Sequence, residues 1–112
     1  MLFILDGGSD DRAILDKELN HPAKAVLLIL GDGPGRGSFV QNAAQVTAAF
    51  PWRTVIWAKD DAVLSAAERQ AFFGSAASAA AVLLDRDDKV AGHLSGTESA
   101  FAIDRAFRQA QA

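Results

Sequence analysis

The chain has 112 residues, half of them apolar and 22% charged, with a formal net charge of -3 and no cysteine. That length allows one domain with its own core and leaves no room for two. Lack of cysteine excludes a disulfide framework, cysteine-held zinc or iron–sulfur centres and any thiol nucleophile, and the acidic balance with scattered Lys and Arg argues against nucleic acid or an anionic membrane as partner.

Leu2–Leu5 is a short apolar run closed by Asp6-Gly7-Gly8, the pattern of a buried strand and a turn. It has no basic segment before it, so it does not read as a secretory signal. The longest apolar run, Ala25–Leu30, falls far short of the roughly 18–20 residues that cross a bilayer. With Met1 as the start, the expectation is a cytoplasmic protein.

Ser9 is predicted to cap the first helix, with Asp10 and Asp11 in its first turn, where carboxylates oppose the helix dipole. Ile14, Leu15 and Leu19 share one face, and Asn20-His21-Pro22 stops the helix. Ala25–Leu30 does not alternate, so it is predicted as a central strand covered on both faces. A glycine-rich loop at 31–37 follows. Ser38 is predicted to cap a second helix carrying Phe39, Ala43, Val46, Thr47 and Phe50, ended by Pro51. Residues 54–58 (Thr-Val-Ile-Trp-Ala) are β-branched and aromatic, a third strand in which Trp57 is expected to be buried.

Ser65 with Glu68 three residues on forms a capping box for a third helix that Gly74 terminates. A small-residue loop at 75–80 leads to two strands, Ala81–Leu84 and 89–94, joined by Asp85-Arg86-Asp87-Asp88 as a hairpin. Gly96 and Thr97 are predicted to start the last helix, with Ala100, Ile103, Phe107 and Ala110 facing inward. The order βαβαβαββα is an α/β fold. Its three βα units demand parallel strands joined by right-handed crossovers, and the closing hairpin adds antiparallel ones. The expected architecture is one domain, a five-stranded mixed sheet flanked by helices.

This order, together with Gly33-Pro34 in a turn after the second strand, resembles the thioredoxin fold over essentially the whole chain. Arg36 matches the basic residue that follows the family's active-site turn, and Gly96 the glycine that closes its fifth strand. Val82-Leu83-Leu84, the 85–88 turn and Lys89-Val90 are similar to the fourth and fifth strands. The departures point one way. Asp32 and Gly35 stand at the two cysteine positions, Val26 at the buried acid and Ala80, or a neighbour in 79–81, at the cis-proline. A cis bond before alanine costs about 3–4 kcal/mol, so a trans bond is expected there. The resemblance therefore implies a redox-inactive member that binds rather than catalyses.

A second, narrower resemblance is to the thioredoxin-like accessory proteins of nickel–iron hydrogenase expression, which are linked to the twin-arginine signal of the hydrogenase small subunit. It rests on Val26-Leu27-Leu28, Asp32, Pro34 and Arg36, on Phe50-Pro51-Trp52, on Phe73-Gly74 and on Gly92-His93-Leu94-Ser95-Gly96. Against it, this chain is shorter at its start and has alanines where that group has aromatic residues around the fourth strand.

Other chemistries fit the residues less well. The 31–37 loop could take a small anion or nucleotide on exposed N–H groups beside Arg36. A dinucleotide fingerprint, however, needs glycine at position 36, a P-loop needs a lysine, and Asp32 repels phosphate. Asp32 near a helix start is ionised and lacks a neighbouring histidine or second acid, so a general-base role is not supported. Acidic clusters at Asp10-Asp11, Asp60-Asp61 and Asp85/Asp87/Asp88 form a magnesium site only if they converge from strand ends. Two isolated histidines, His21 and His93, do not make a metal site. No catalytic residue, metal or cofactor is expected.

The leading expectation is a non-catalytic module for a peptide or protein segment. Its groove would be lined by Asp32, Gly33, Pro34, Gly35, Arg36, Ala79 and Ala80, with Trp52 as a partly exposed anchor and backbone hydrogen bonds supplied by Ala79. The rivals are the anion site and a self-associating module whose sheet edge or Trp52 face forms a homodimer; monomer and homodimer both stay open.

Overall fold

A computed structural model of the chain describes residues 1–20, 24–74, 79–85 and 89–110; the predicted stop at His21-Pro22, residues 75–78 of the small-residue loop and 86–88 of the hairpin turn lie outside them. The elements are β1 (Leu2–Leu5), α1 (Asp11–Leu19), β2 (Ala25–Leu30), α2 (Arg36–Thr47), β3 (Arg53–Ala58), a 3-10 turn (Asp61–Val63), α3 (Ala66–Phe73), β4 (Ala81–Leu84), β5 (Val90–Leu94) and α4 (Ala100–Ala110). They form an α/β fold with a five-stranded mixed sheet in the order β1-β3-β2-β4-β5. β1 and β2 flank β3 in parallel, β4 runs antiparallel to β2, and β5 antiparallel to β4.

Strand alternation divides the core into two layers. Ala25, Leu27 and Ile29 of β2, Val55 of β3 and Leu83 of β4 pack with Phe39, Val40 and Ala43 of α2 and Ile103 and Phe107 of α4. On the other face Leu5, Val26, Leu28, Ile56, Val82 and Leu84 pack with Leu15 of α1 and Phe73 of α3. The unbroken apolar run of β2 thus serves both layers, as a central strand must.

Three helix starts differ from the sequence expectation. In α1 the cap position is Asp10, with no side-chain cap bond, and Asp11 reaches back instead to accept from the Gly7 N–H at 2.7 Å. In α2 the cap is Gly35 in the left-handed region (φ 80°), so the helix begins at Arg36 and Ser38 lies inside it. α2 ends at Thr47, and Phe50 belongs to the turn before β3.

In the third case, Glu98 accepts from the N–H groups of Ser95 (3.0 Å) and Gly96 (3.1 Å), which folds 95–98 into a turn. Ser99 then accepts from the Ala102 N–H, and α4 starts at Ala100. The capping box on α3 forms as predicted, with Ser65 and Glu68 bonded reciprocally. β3 starts one residue earlier than predicted, at Arg53, and β5 one later, at Val90.

Candidate functional site

Gly31 leaves β2 with its N–H donating to the Ala58 carbonyl at 2.9 Å, while its own carbonyl accepts from the Trp57 indole at 2.7 Å. Trp57 is therefore only half-buried, one end of its ring serving as a brace for the loop. Beyond Gly31, Asp32, Pro34 and Gly35 are exposed, and Arg36 closes the turn by donating its backbone N–H to Gly33.

The Arg36 side chain folds back instead of standing at the groove rim. Its guanidinium faces Gly31 and Gly33, and a Cβ built on Gly96 would lie 2.5 Å from Nη1 and 2.8 Å from the Ala80 Cβ. Gly96 also has φ +90°, so two constraints demand glycine there. Arg36 thereby packs between the 31–35 loop and the end of β5, and among the described residues its Nε is buried with no hydrogen-bond partner.

Ala80 is built into the sheet: its N–H donates to Leu94 and its carbonyl accepts from Leu30, both at 2.9 Å. The peptide bonds around it are trans. Ala79 differs from it. Among the described residues no backbone hydrogen bond engages Ala79, and it lines a cavity of about 380 Å³ with Leu30, Gly31, Arg69, Gln70, Phe73 and Gly74. Leu30 and Phe73 are the cavity's large apolar lining residues, and Arg69 and Gln70 its polar ones. The third helix supplies three of these residues and its C-cap Gly74 a fourth, a contribution the sequence reading missed because nothing local links residues 69–74 to the 31–36 turn.

The predicted site residues are not all brought together. Asp32, Gly33, Pro34, Gly35, Arg36, Ala79 and Ala80 gather at the end of the sheet where β2 finishes. Trp52 lies at the opposite end: it precedes Arg53, which pairs with Ala25 at the start of β2, one strand length of roughly 17 Å away. There its ring meets Phe50 edge-on at 5.2 Å, and its indole N–H is buried without a partner among the described residues. The acidic clusters are only partly brought together: Asp11 and Asp60 line one cavity. Asp6 and Asp60 follow β1 and β3 at the loop end of the sheet, with Asp6 beside Lys59 at 3.6 Å, whereas Asp85 follows β4 at the far end. Among the described residues no three His, Asp or Glu side chains converge to hold a metal.

Near the groove, burial works to raise the pKa of Glu98, but the bonds from Ser95 and Gly96 outweigh it and hold the carboxyl below its ordinary range. A charged Glu98 keeps the turn after β5 folded, and with it Gly96 under Arg36. No described helix is long and apolar enough to cross a membrane. Compared with protein-family models, curated proteins and solved structures, the chain has no match in any of the three.

Proposed function

We propose that the chain is a redox-inactive, thioredoxin-like module that binds an extended peptide or protein segment without transforming it. The fold part is supported by the strand order β1-β3-β2-β4-β5, with β4 and β5 antiparallel to their neighbours, together with the Gly33-Pro34 turn at the end of β2. The absence of cysteine supports the lack of thiol chemistry.

The observation that carries the binding part is Ala79: a backbone outside the sheet ladder, in the wall of an open, partly apolar cavity, two residues before β4 and next to Ala80, whose sheet bonds fix its position. An extended segment can hydrogen-bond there and place one apolar side chain over Leu30 and Phe73. The narrower accessory-factor reading uses the same groove with a specified partner, a hydrogenase small-subunit signal peptide, whose paired arginines suit an acidic chain.

The test is selection from a displayed peptide library, with the signal peptide as a separate probe, followed by amide NMR on the labelled protein. Binding should shift the amides of Gly31, Asp32, Gly74 and Ala79. Ala79→Pro, which removes the amide donor, should weaken affinity at least tenfold while leaving the fold intact. Shifts confined to another surface, or equal affinity in Ala79→Pro, would overturn the groove.

A further inference from the structure

The two edges of the sheet are built differently. β5, on one edge, carries Gly92, follows Lys89 and has an irregular register opposite Leu83/Leu84, all features that spoil an edge for pairing. β1, on the other, is Leu-Phe-Ile-Leu, with no charge, proline, glycine or bulge. Its Met1 and Leu5 carbonyls accept from Val55 and Lys59 of the neighbouring segment. Because successive peptide groups alternate in direction, the N–H and C=O groups of Leu2 and Ile4 point outward, off the sheet. Leu2 and Ile4 are 37% and 47% exposed. The helices on that face, α2 and α4, pack chiefly over β3, β4 and β5.

We infer that β1 is the contact strand of a homodimer, pairing antiparallel with β1 of a second copy about a two-fold axis through Phe3. That register sets Leu2 opposite Ile4 of the copy and Ile4 opposite its Leu2. Both outward-facing residues then form doubly hydrogen-bonded pairs, which neither neighbouring symmetric register achieves. The four exposed side chains come together on one face, and the patch is complementary to itself, as an isologous contact requires.

Charge supports the second copy as the occupant. Asp10, Ile14 and Lys17 recur on α1 at helical spacing, and Ile14 and Lys17 line the cavity beside Met1 and Phe3 next to this edge. Neither Asp10 nor Lys17 has an ion pair among the described residues. The two-fold axis runs the two α1 helices antiparallel on the same face of the joined sheet. It brings Asp10 of each copy toward Lys17 of the other, with Ile14 between them. This pairing leaves the 31–36 groove open, so it stands or falls independently of peptide binding.

Sedimentation equilibrium on the 112-residue chain should show a monomer–dimer equilibrium, with Ile4→Lys weakening it at least tenfold and leaving thermal stability unchanged. Because the chain has no cysteine, register can be read by crosslinking. The double variant Leu2→Cys/Ile4→Cys should oxidise to a covalent dimer, as the opposed Cα atoms fall within disulfide range, while Ile4→Cys alone should not. A monomer at all concentrations up to about 1 mM overturns the inference. So does a dimer unaffected by Ile4→Lys, crosslinking of the single variant, or a monomer that takes up an unrelated β-forming peptide on β1.

Discussion

On one side of the sheet α2 and α4 are joined to each other through a buried ion pair; on the other, α1 and α3 are joined to each other at the surface, although Glu18 of α1 also pairs with Lys24 under cover. Arg53, only 2% exposed, stands between the Phe50 and Phe107 rings with its guanidinium carbon 4.2 and 5.0 Å from their centroids. It donates to Asp104 of α4 at 2.7 Å and, through a longer bond, to the Val46 carbonyl of α2. One buried cation thus joins β3 to both helices. Across the sheet, half-exposed Arg12 of α1 grips Glu68 of α3 through both guanidinium nitrogens and also donates to Val63. The candidate groove sits where the layers meet. Its Gly31–Arg36 wall leans on the inner-fastened layer through Phe39 and Gly96, and its other wall is α3. Binding-linked movement is therefore expected in α3 and not in the loop.

The largest contrast should come from breaking the buried cation's pair. Asp104 is held below the ordinary carboxylate range by hydrogen bonds from Arg108 and then Arg53. Asp104→Asn leaves a desolvated guanidinium with no counter-charge and should cost about 2–3 kcal/mol in denaturant unfolding. Arg53→Met, which removes the cation and keeps much of its volume, should cost less than Asp104→Asn. If the two are reversed, the aromatic stacking on Arg53 outweighs its ion pair.

The surface clamp should respond less to mutation but more visibly to pH. Arg12 is the main reason that Glu68 titrates at about 2, with the Ser65 bonds adding to it against a burial penalty. A carboxyl whose pKa is lowered on folding stabilises above its unfolded range and loses that contribution as pH falls through its folded value. The Glu68→Gln variant should therefore be less stable by about 1–2 kcal/mol at pH 7, after allowance for solvent screening. Thermal unfolding of the two proteins should converge as pH drops from about 4.5 to 2. A difference that persists at pH 2 would assign the loss to packing.

Much of the frame was legible because its signals are local. The strand run at 25–30, the capping box at Ser65 and Glu68, and the apolar spacing of Ile103 and Phe107 each sit within a few residues of one another. What was not legible depends on partners far apart in sequence. Arg53 reads as a polar residue outside a strand until Asp104, 51 residues on, neutralises it. Arg36 reads as a rim charge until a glycine at 96 leaves room for it. Ser38 looks like a cap because sequence does not reveal that Gly35 turns the chain three residues earlier. In the candidate groove, the loop was visible as a motif, the α3 wall was not, and Trp52 belonged to the other end of the sheet.

The smallest effect tests the same asymmetry at two helix caps. The Ser65 hydroxyl accepts one bond from the Glu68 N–H, the Glu68 carboxylate accepts in return from the Ser65 N–H, and the same carboxylate holds Arg12. Ser99 accepts from Ala102 at a longer 3.3 Å, and α4 is already anchored by Ile103, Phe107 and Asp104. Ser65→Ala should cost about 1 kcal/mol and Ser99→Ala about 0.5 kcal/mol. Hydrogen exchange separates them further. In Ser65→Ala the amides of residues 68–73 should exchange about fivefold faster while α4 is unchanged, and affinity for a groove-selected peptide should fall with them. Equal exchange in both helices would mean that the two layers are equally firm, and that α3 is no more mobile a wall than the loop it faces.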